Sequence, residues 1–200
     1  MKRLFFNSDT INFIGSWQIS NDILFEKMIE FFEKNKHLHS QGSIDKGISL
    51  SEKKTTDLTI DPIDLKDKNY SIFNDYFQEL FSCYNDYKKQ WPFIEENIKT
   101  LDIPSFNIQK YFPGDHFSKI HTERSSTSTS HRVFAWMTYL NNLDKNAGGS
   151  TKFEHFDISI EPKKGKTLIW PAEWTHAHSG DFVKSGIKYI ITGWMCFPFN

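Results

Sequence analysis

A mainly β fold with supporting helices, a double-stranded β-helix or jelly roll, is what this 200-residue sequence predicts. Three observations carry the prediction. Beyond Pro104 the chain breaks into short runs rich in branched and aromatic residues, at 106–112, 132–140, 156–160, 167–170 and 188–196. Glycines at 114, 148, 149, 165, 180 and 186 punctuate these runs. Ahead of them lie two stretches of helical periodicity, the arrangement expected when helices brace one face of a β-sandwich. The chain is long enough for one self-sufficient core, so residues 1–200 are read as a single domain. Its 1–103 portion is helical support and a lid region, and 104–200 is the jelly-roll catalytic core.

The elements follow in chain order. Met1 to Phe6 is apolar for only a few residues before Asn7, Ser8 and Asp9 end the run, too short for a secretory signal. No stretch approaches the roughly 18 apolar residues of a membrane span. From Ser20, Ile23, Leu24, Met28, Ile29 and Phe32 recur at helical spacing, with Ser20 or Asn21 as cap and Asp22 and Glu26 near the positive end of the dipole; the helix ends near Lys36. Residues 37–67, interrupted by Gly42, Gly47 and Pro62, read as an irregular excursion with at most one or two short strands, placed to act as a lid. Phe73, Tyr76, Phe77, Leu80, Tyr84 and Tyr87 define a longer helix over 69–90, closed by Pro92. The Ser/Thr tract 125–130 has no apolar anchor and reads as a mobile surface loop or substrate cover.

Composition excludes some functions. Twenty-four basic against twenty-five acidic residues leave a formal charge of -1, which disfavours a nucleic-acid or anionic-membrane binder. Cys83 and Cys196 are far apart, without zinc or redox spacing, and read as buried free thiols of a reducing, cytoplasmic compartment.

Two His-x-carboxylate pairs occur, His121-Thr122-Glu123 and His155-Phe156-Asp157. Such a pair on one strand aims two metal ligands the same way, and two histidines with one carboxylate form the facial triad that leaves open positions on a metal. With eight histidines and one residue in eight acidic, about one such pair arises by chance, so context must decide. Around the first pair stand Tyr111-Phe112-Pro113-Gly114 and Phe117 upstream, then Arg132 leading to Tyr139-Leu140-Asn141. Gly148-Gly149-Ser150-Thr151-Lys152-Phe153, Thr175-His176-Ala177-His178-Ser179-Gly180 and Gly186-Ile187-Lys188 follow. The second pair, directly after the Gly-Gly turn, leaves little chain before His178.

These elements, in this order and spacing, resemble the prolyl 4-hydroxylase type of 2-oxoglutarate/iron(II) oxygenases, most closely phage and marine bacterial members. The resemblance runs from about 107 to 197, with a weaker echo at Lys53-Lys54-Thr55-Thr56-Asp57-Leu58. It implies iron(II) held by His121, Glu123 and His178, with 2-oxoglutarate and dioxygen as co-substrates and ascorbate in support. The lysine ten residues beyond the distal histidine, Lys188, would neutralise the far carboxylate of 2-oxoglutarate, a charge that a dry barrel cannot leave unpaired. Tyr139 would donate to the same carboxylate, Tyr111 would line the pocket, and Trp194 would stand near the metal. Glu123 departs from the commoner aspartate and Ser150 from a commoner glutamate.

Strand alternation alone does not choose between His176 and His178 as ligand; the family spacing selects His178 and leaves His176 beside it. His116 reads as an exposed turn residue, and Arg124 and Arg132 as rim residues that can meet a substrate carboxylate. The reaction implied is hydroxylation of a C–H bond with release of succinate and carbon dioxide, on a peptide, protein or small molecule. A metal-binding sensor of the cupin type is the alternative reading. The sequence leaves the oligomeric state open.

Overall fold

The computed structural model describes residues 1–6, 11–44 and 47–198; the Asn7–Asp9 break in the N-terminal apolar run lies outside them. Twelve strands and three helices follow in order: β1 Lys2–Leu4, β2 Gly15–Gln18, α1 Asp22–Lys34, β3 His39–Gln41, β4 Thr56–Ile60, α2 Ser71–Gln90, α3 Pro92–Asn97, β5 Phe106–Tyr111, β6 Phe117–His121, β7 Arg132–Tyr139, β8 Thr151–Phe153, β9 Ile158–Ile160, β10 Lys166–Pro171, β11 His178–Gly180 and β12 Lys188–Cys196. They form an eight-stranded sheet in the order β1-β2-β10-β7-β12-β5-β4-β3 and a four-stranded sheet in the order β6-β11-β8-β9. All recorded pairings are antiparallel. This is the mainly β jelly roll with helices that the strand and glycine pattern predicts.

Alternation on the central strands divides the interior into two cores. On β7, Phe134 and Trp136 face the helices, where Phe25, Met28, Phe32, Phe73, Tyr76 and Tyr87 meet them. Ala135, Met137 and Tyr139 point the other way and pack with Phe153, Ile160 and Trp170 between the sheets. One strand thus serves both layers because its side chains alternate. The helical core is strongly aromatic, and Trp136 lies edge-on to Phe77 at 6.0 Å.

Both predicted helices form. Asn21 is the observed cap of α1, its side chain accepting from the Leu24 amide. Pro92 does more than stop α2, because it opens α3 as a first-turn residue, where its missing N–H leaves no bond unmade. The excursion 37–67 contains the two short strands β3 and β4, and β4 is an interior strand of the large sheet, paired with β5 from Thr56↔Lys110 to Ile60↔Phe106. The Ser/Thr tract, expected as a mobile loop, is a hydrogen-bonded 3-10 turn at Thr127–Thr129, with Ser126 and Thr129 capping it reciprocally. Short strands β1, β2 and β8 were not individually foreseen, being too brief for a periodic signal. Both cysteines are buried and unpaired, as expected. No helix of the described residues is long and apolar enough to cross a membrane.

Candidate metal and co-substrate site

The two sheets enclose a cavity of about 730 Å³. From the small sheet come His121, the last residue of β6, and His178, the first of β11, which are direct cross-strand partners. Glu123 lies just past the end of β6, so the His-x-Glu pair straddles a strand terminus. It still aims both side chains inward. Ligand atoms of His121, Glu123 and His178 all lie within 4.8 Å of one another, the one such metal-competent group among the described residues.

The hydrogen bonds around the histidines say what this cluster is suited to hold. His121 Nδ1 faces the Lys119 carbonyl at 2.8 Å and His178 Nδ1 faces the His176 carbonyl at 2.9 Å. A carbonyl only accepts, so each Nδ1 is the donor of its pair and each Nε2 is left facing the cavity. The Nε2 atoms lie 3.8 Å (His121) and 3.2 Å (His178) from Glu123 Oε1. Two imidazole nitrogens and a carboxylate oxygen converging on one point are a donor set that fits a divalent metal. Burial, reinforced by His178, lowers the His121 pKa to about 4, keeping it a neutral ligand at physiological pH. Burial by itself would raise the Glu123 pKa, yet the facing His178 and His121 and the Trp194 indole hold it down at about 2. The rings are fixed by stacking, Phe117 lying on His121 at 3.9 Å and 13° and Trp170 standing edge-on to His178 at 5.1 Å.

The large sheet supplies the opposite wall. Lys188 and Tyr111 are cross-strand partners on β12 and β5, which sets the Lys188 ammonium 3.9 Å from the Tyr111 ring centre. Lys188 is 3% exposed, donates to the Gly149 carbonyl at 3.1 Å, and has no recorded salt bridge among the described residues. Burial pulls its pKa down to about 7, with Asp181 a weaker opposing influence. A buried ammonium without a carboxylate is half of an ion pair, and the cavity gives it room for an anionic ligand.

The remaining predicted residues fall in three different relations to the cavity. Tyr111 lines it and donates to Gln109 Oε1 at 2.8 Å. Trp194 lines it and donates to Glu123 Oε2 at 2.7 Å. Tyr139 is completely buried, its hydroxyl meeting Thr151 Oγ1 at 2.7 Å and the Ile160 carbonyl at 3.0 Å. Thr151, not Tyr139, is on the cavity wall. In the sequence Thr151 is only a member of the Gly-Gly turn; its place opposite Tyr139 comes from the packing of β8 against β7.

Several local expectations are corrected. His176 is not on a strand with His178 but ends a 3-10 turn, Trp174–His176, with its ring facing Thr175 Oγ1 and the Asn12 carbonyl. Lys188 and His178, ten residues apart in the chain, stand on different sheets. His116 is 4% exposed, stacked on Phe182, rather than exposed. His155 and Asp157 lie in the β8–β9 turn, where His155 packs edge-on to Trp174 and Asp157 adopts φ 51. Arg124 is tied to Glu173.

Residues 37–67 contribute Ser40, Gln41, Ile44, Lys53, Asp57 and Thr59 to the cavity. Sequence reasoning did not single out the buried network there. Asp57 accepts from Lys53 at 2.8 Å, Thr55 at 2.6 Å and Gln109 at 3.1 Å, and Gln109 in turn holds the Tyr111 hydroxyl.

Comparison with known proteins accords with this geometry. Residues 106–196, a little under half of the chain, match the family model described as "2OG-Fe(II) oxygenase superfamily". That match implies iron(II), 2-oxoglutarate and dioxygen as cofactors, and the His121, Glu123 and His178 cluster fits the first of them. Among solved structures, a viral collagen prolyl hydroxylase from Paramecium Bursaria Chlorella virus-1 superposes with a TM-score of 0.69 at 17% identity, over 94% of this chain and 97% of that one. A Pseudomonas putida prolyl-4-hydroxylase superposes at 0.72 and 13% identity, over 93% and 94%. A Trichoplax adhaerens prolyl hydroxylase bound to a hypoxia inducible factor peptide fragment gives 0.70 at 14% identity, over 92% and 84%. At these identities the likeness is one of fold. In sequence, a segment of 53 residues is 43% identical to human procollagen-lysine,2-oxoglutarate 5-dioxygenase 2, covering 26% of this chain but only 7% of that protein. The superfamily match supports oxygenase chemistry over the alternative of a cupin-type sensor.

Proposed function

We propose that this oxygenase hydroxylates an uncharged side chain within a polypeptide, prolyl before lysyl, using the whole of residues 1–200 as one catalytic unit. His121, Glu123 and His178 hold the iron through Nε2, a carboxylate oxygen and Nε2. Lys188 pairs with the far carboxylate of 2-oxoglutarate, Thr151 supports that carboxylate with Tyr139 bonded behind it, and Tyr111 floors the ammonium. When bound, the iron and 2-oxoglutarate supply the oxidising chemistry, with succinate and carbon dioxide leaving. The chain's own contribution is to aim the ligand nitrogens at one point, to neutralise the co-substrate and to keep the reacting carbon away from bulk water.

The observation that carries this reading is the convergence of three lone-pair donors on one sheet with a buried, carboxylate-free lysine on the facing sheet. The preference for an uncharged target rests on the carboxylates of the cavity wall. Among the described residues only Asp57 and Glu123 bring them there. Glu123 is committed to the metal, and Asp57 already accepts three hydrogen bonds. A lysyl ammonium would enter without a counter-charge, a costly desolvation. The cavity lining reaches from His178 to Ser40 on the edge strand β3, so a polypeptide can enter across the sheet edge.

The test is 2-oxoglutarate turnover with iron(II) and ascorbate in the presence of matched prolyl and lysyl peptides, scored by succinate release and by addition of one oxygen in the mass spectrum. Stimulation and oxygen addition with prolyl peptides support the proposal. Oxygen addition confined to lysyl peptides, or to free small molecules, refutes it.

A further inference from the structure

The two oxygens of the Glu123 carboxylate are sorted by different neighbours. Oε1 looks toward both histidine Nε2 atoms, at 3.8 and 3.2 Å. Oε2 is turned away and receives the Trp194 indole N–H at 2.7 Å. Arg132 lies against the indole, its guanidinium 3.7 Å from the Trp194 ring centre and one terminal nitrogen at the longer distance of 3.9 Å from Oε2 itself. The same guanidinium donates through a terminal N–H to the Glu123 main-chain carbonyl at 2.9 Å. Arg132 therefore holds the two ends of the arrangement at once, the backbone of the carboxylate residue and the ring that grips its outer oxygen. β12 and β7 place Trp194 opposite Ala135, whose small side chain leaves the indole room to lie over the cavity wall.

Glutamate has one more rotatable bond than aspartate, so its carboxylate can swing and can offer both oxygens to one metal. A carboxylate bound through both oxygens takes an additional coordination position. A facial triad works because three positions stay free, two for a chelating co-substrate and one for dioxygen. We propose that Trp194, backed by Arg132, is a positioning residue that engages Oε2 of Glu123, restricting this longer carboxylate to a single ligand oxygen and reserving the position that 2-oxoglutarate needs. Trp194 thereby acts through Glu123 rather than by touching the co-substrate. This rests on the metal site proposed above.

The consequence separates positioning from mere structural support. Loss of a structural tryptophan loosens the site and weakens metal and 2-oxoglutarate together. Loss of the Oε2 grip frees the second oxygen to join the metal, so metal affinity holds or rises while 2-oxoglutarate, which must then displace that oxygen, binds more weakly.

The experiment uses the full chain under anaerobic conditions. Iron(II) affinity is measured alone, and 2-oxoglutarate affinity at saturating iron is followed by the metal-to-ligand absorption band. For Trp194→Phe, which keeps an aromatic ring but no N–H, the expected result is unchanged or tighter iron and about tenfold weaker 2-oxoglutarate, within the usual range for residues that orient metal ligands. In Glu123→Asp the shorter arm does not reach the indole, so adding Trp194→Phe to it should change 2-oxoglutarate affinity by less than about twofold, a coupling read from the double-mutant cycle. Equal weakening of iron and 2-oxoglutarate in Trp194→Phe overturns the proposal, as does an unchanged 2-oxoglutarate affinity. An equal loss in both backgrounds overturns it too. If the unaltered protein binds iron(II) no better than Glu123→Ala does, the metal site itself is wrong and this role falls with it.

Discussion

Replacing Lys188 probes the co-substrate pocket and the electrostatics of the fold together. Its ammonium is 3% exposed, and burial lowers its pKa from the ordinary 10.5 to about 7. At about 1.4 kcal/mol per pKa unit, that gap corresponds to a burden on the charged form on the order of 5 kcal/mol. The unfolded chain keeps the proton up to about 10.5, whereas the folded, ligand-free chain releases it near 7. The folded state is therefore penalised below pH 7, and its stability rises with pH between roughly 7 and 10.5.

An anionic co-substrate needs the protonated form, so 2-oxoglutarate affinity should fall by about tenfold per pH unit above pH 7 as the free protein has to take up a proton on binding. Lys188→Met should stabilise the ligand-free protein at neutral pH and abolish this pH slope. It should also weaken 2-oxoglutarate by about two to three decades, the roughly 3–5 kcal/mol of a buried ion pair losing one partner. Calorimetric titration of 2-oxoglutarate at saturating metal, repeated in buffers of different ionisation enthalpy, reads both affinity and proton uptake. A flat affinity between about pH 7 and 9 with no proton taken up, or an unchanged affinity in Lys188→Met, would refute the reasoning.

Further expectations concern the metal ligands and the buried network. His178→Ala should eliminate specific iron binding and succinate formation. His176→Ala, which leaves the His176 carbonyl to hold His178 Nδ1, should lose at most about two decades in metal affinity; the reverse pattern in anaerobic iron titrations would reassign the ligand. Glu123→Ala should abolish coupled turnover while Glu123→Asp keeps measurable metal, and full activity in the alanine variant would remove Glu123 from the site. Asp57→Asn, which leaves the buried Lys53 ammonium without its carboxylate, should destabilise the fold by about 3–5 kcal/mol in denaturant titration. A change below about 1 kcal/mol would show that Lys53 finds water instead.

Much of this protein was legible in the sequence because its signals were local or strictly spaced. Helical periodicity located α1 and α2, since an amphipathic face must recur every three to four residues to be buried. Runs such as 132–140 and 188–196 located the central strands. The spacing of His121, Glu123, His178 and Lys188, read through its likeness to a known family, named residues whose side chains converge on one cavity. What depended on pairing across the chain was not legible. Strands of three or four residues, such as β1, β2 and β8, carry no periodic signal and exist because neighbours supply their hydrogen bonds.

The two histidines at 176 and 178 are indistinguishable by alternation. Only the tertiary fold makes one a turn residue bonded to Asn12 and the other a cross-strand partner of His121. Likewise Asp57 and Gln109 are ordinary polar residues until β4 pairs with β5 and buries them side by side. The sequence by itself determined which chemical groups are present and roughly how far apart along the chain. The tertiary structure decided which of their atoms face one another, because facing is set by strand register and sheet closure between segments distant in sequence, as between β12 and both β5 and β7.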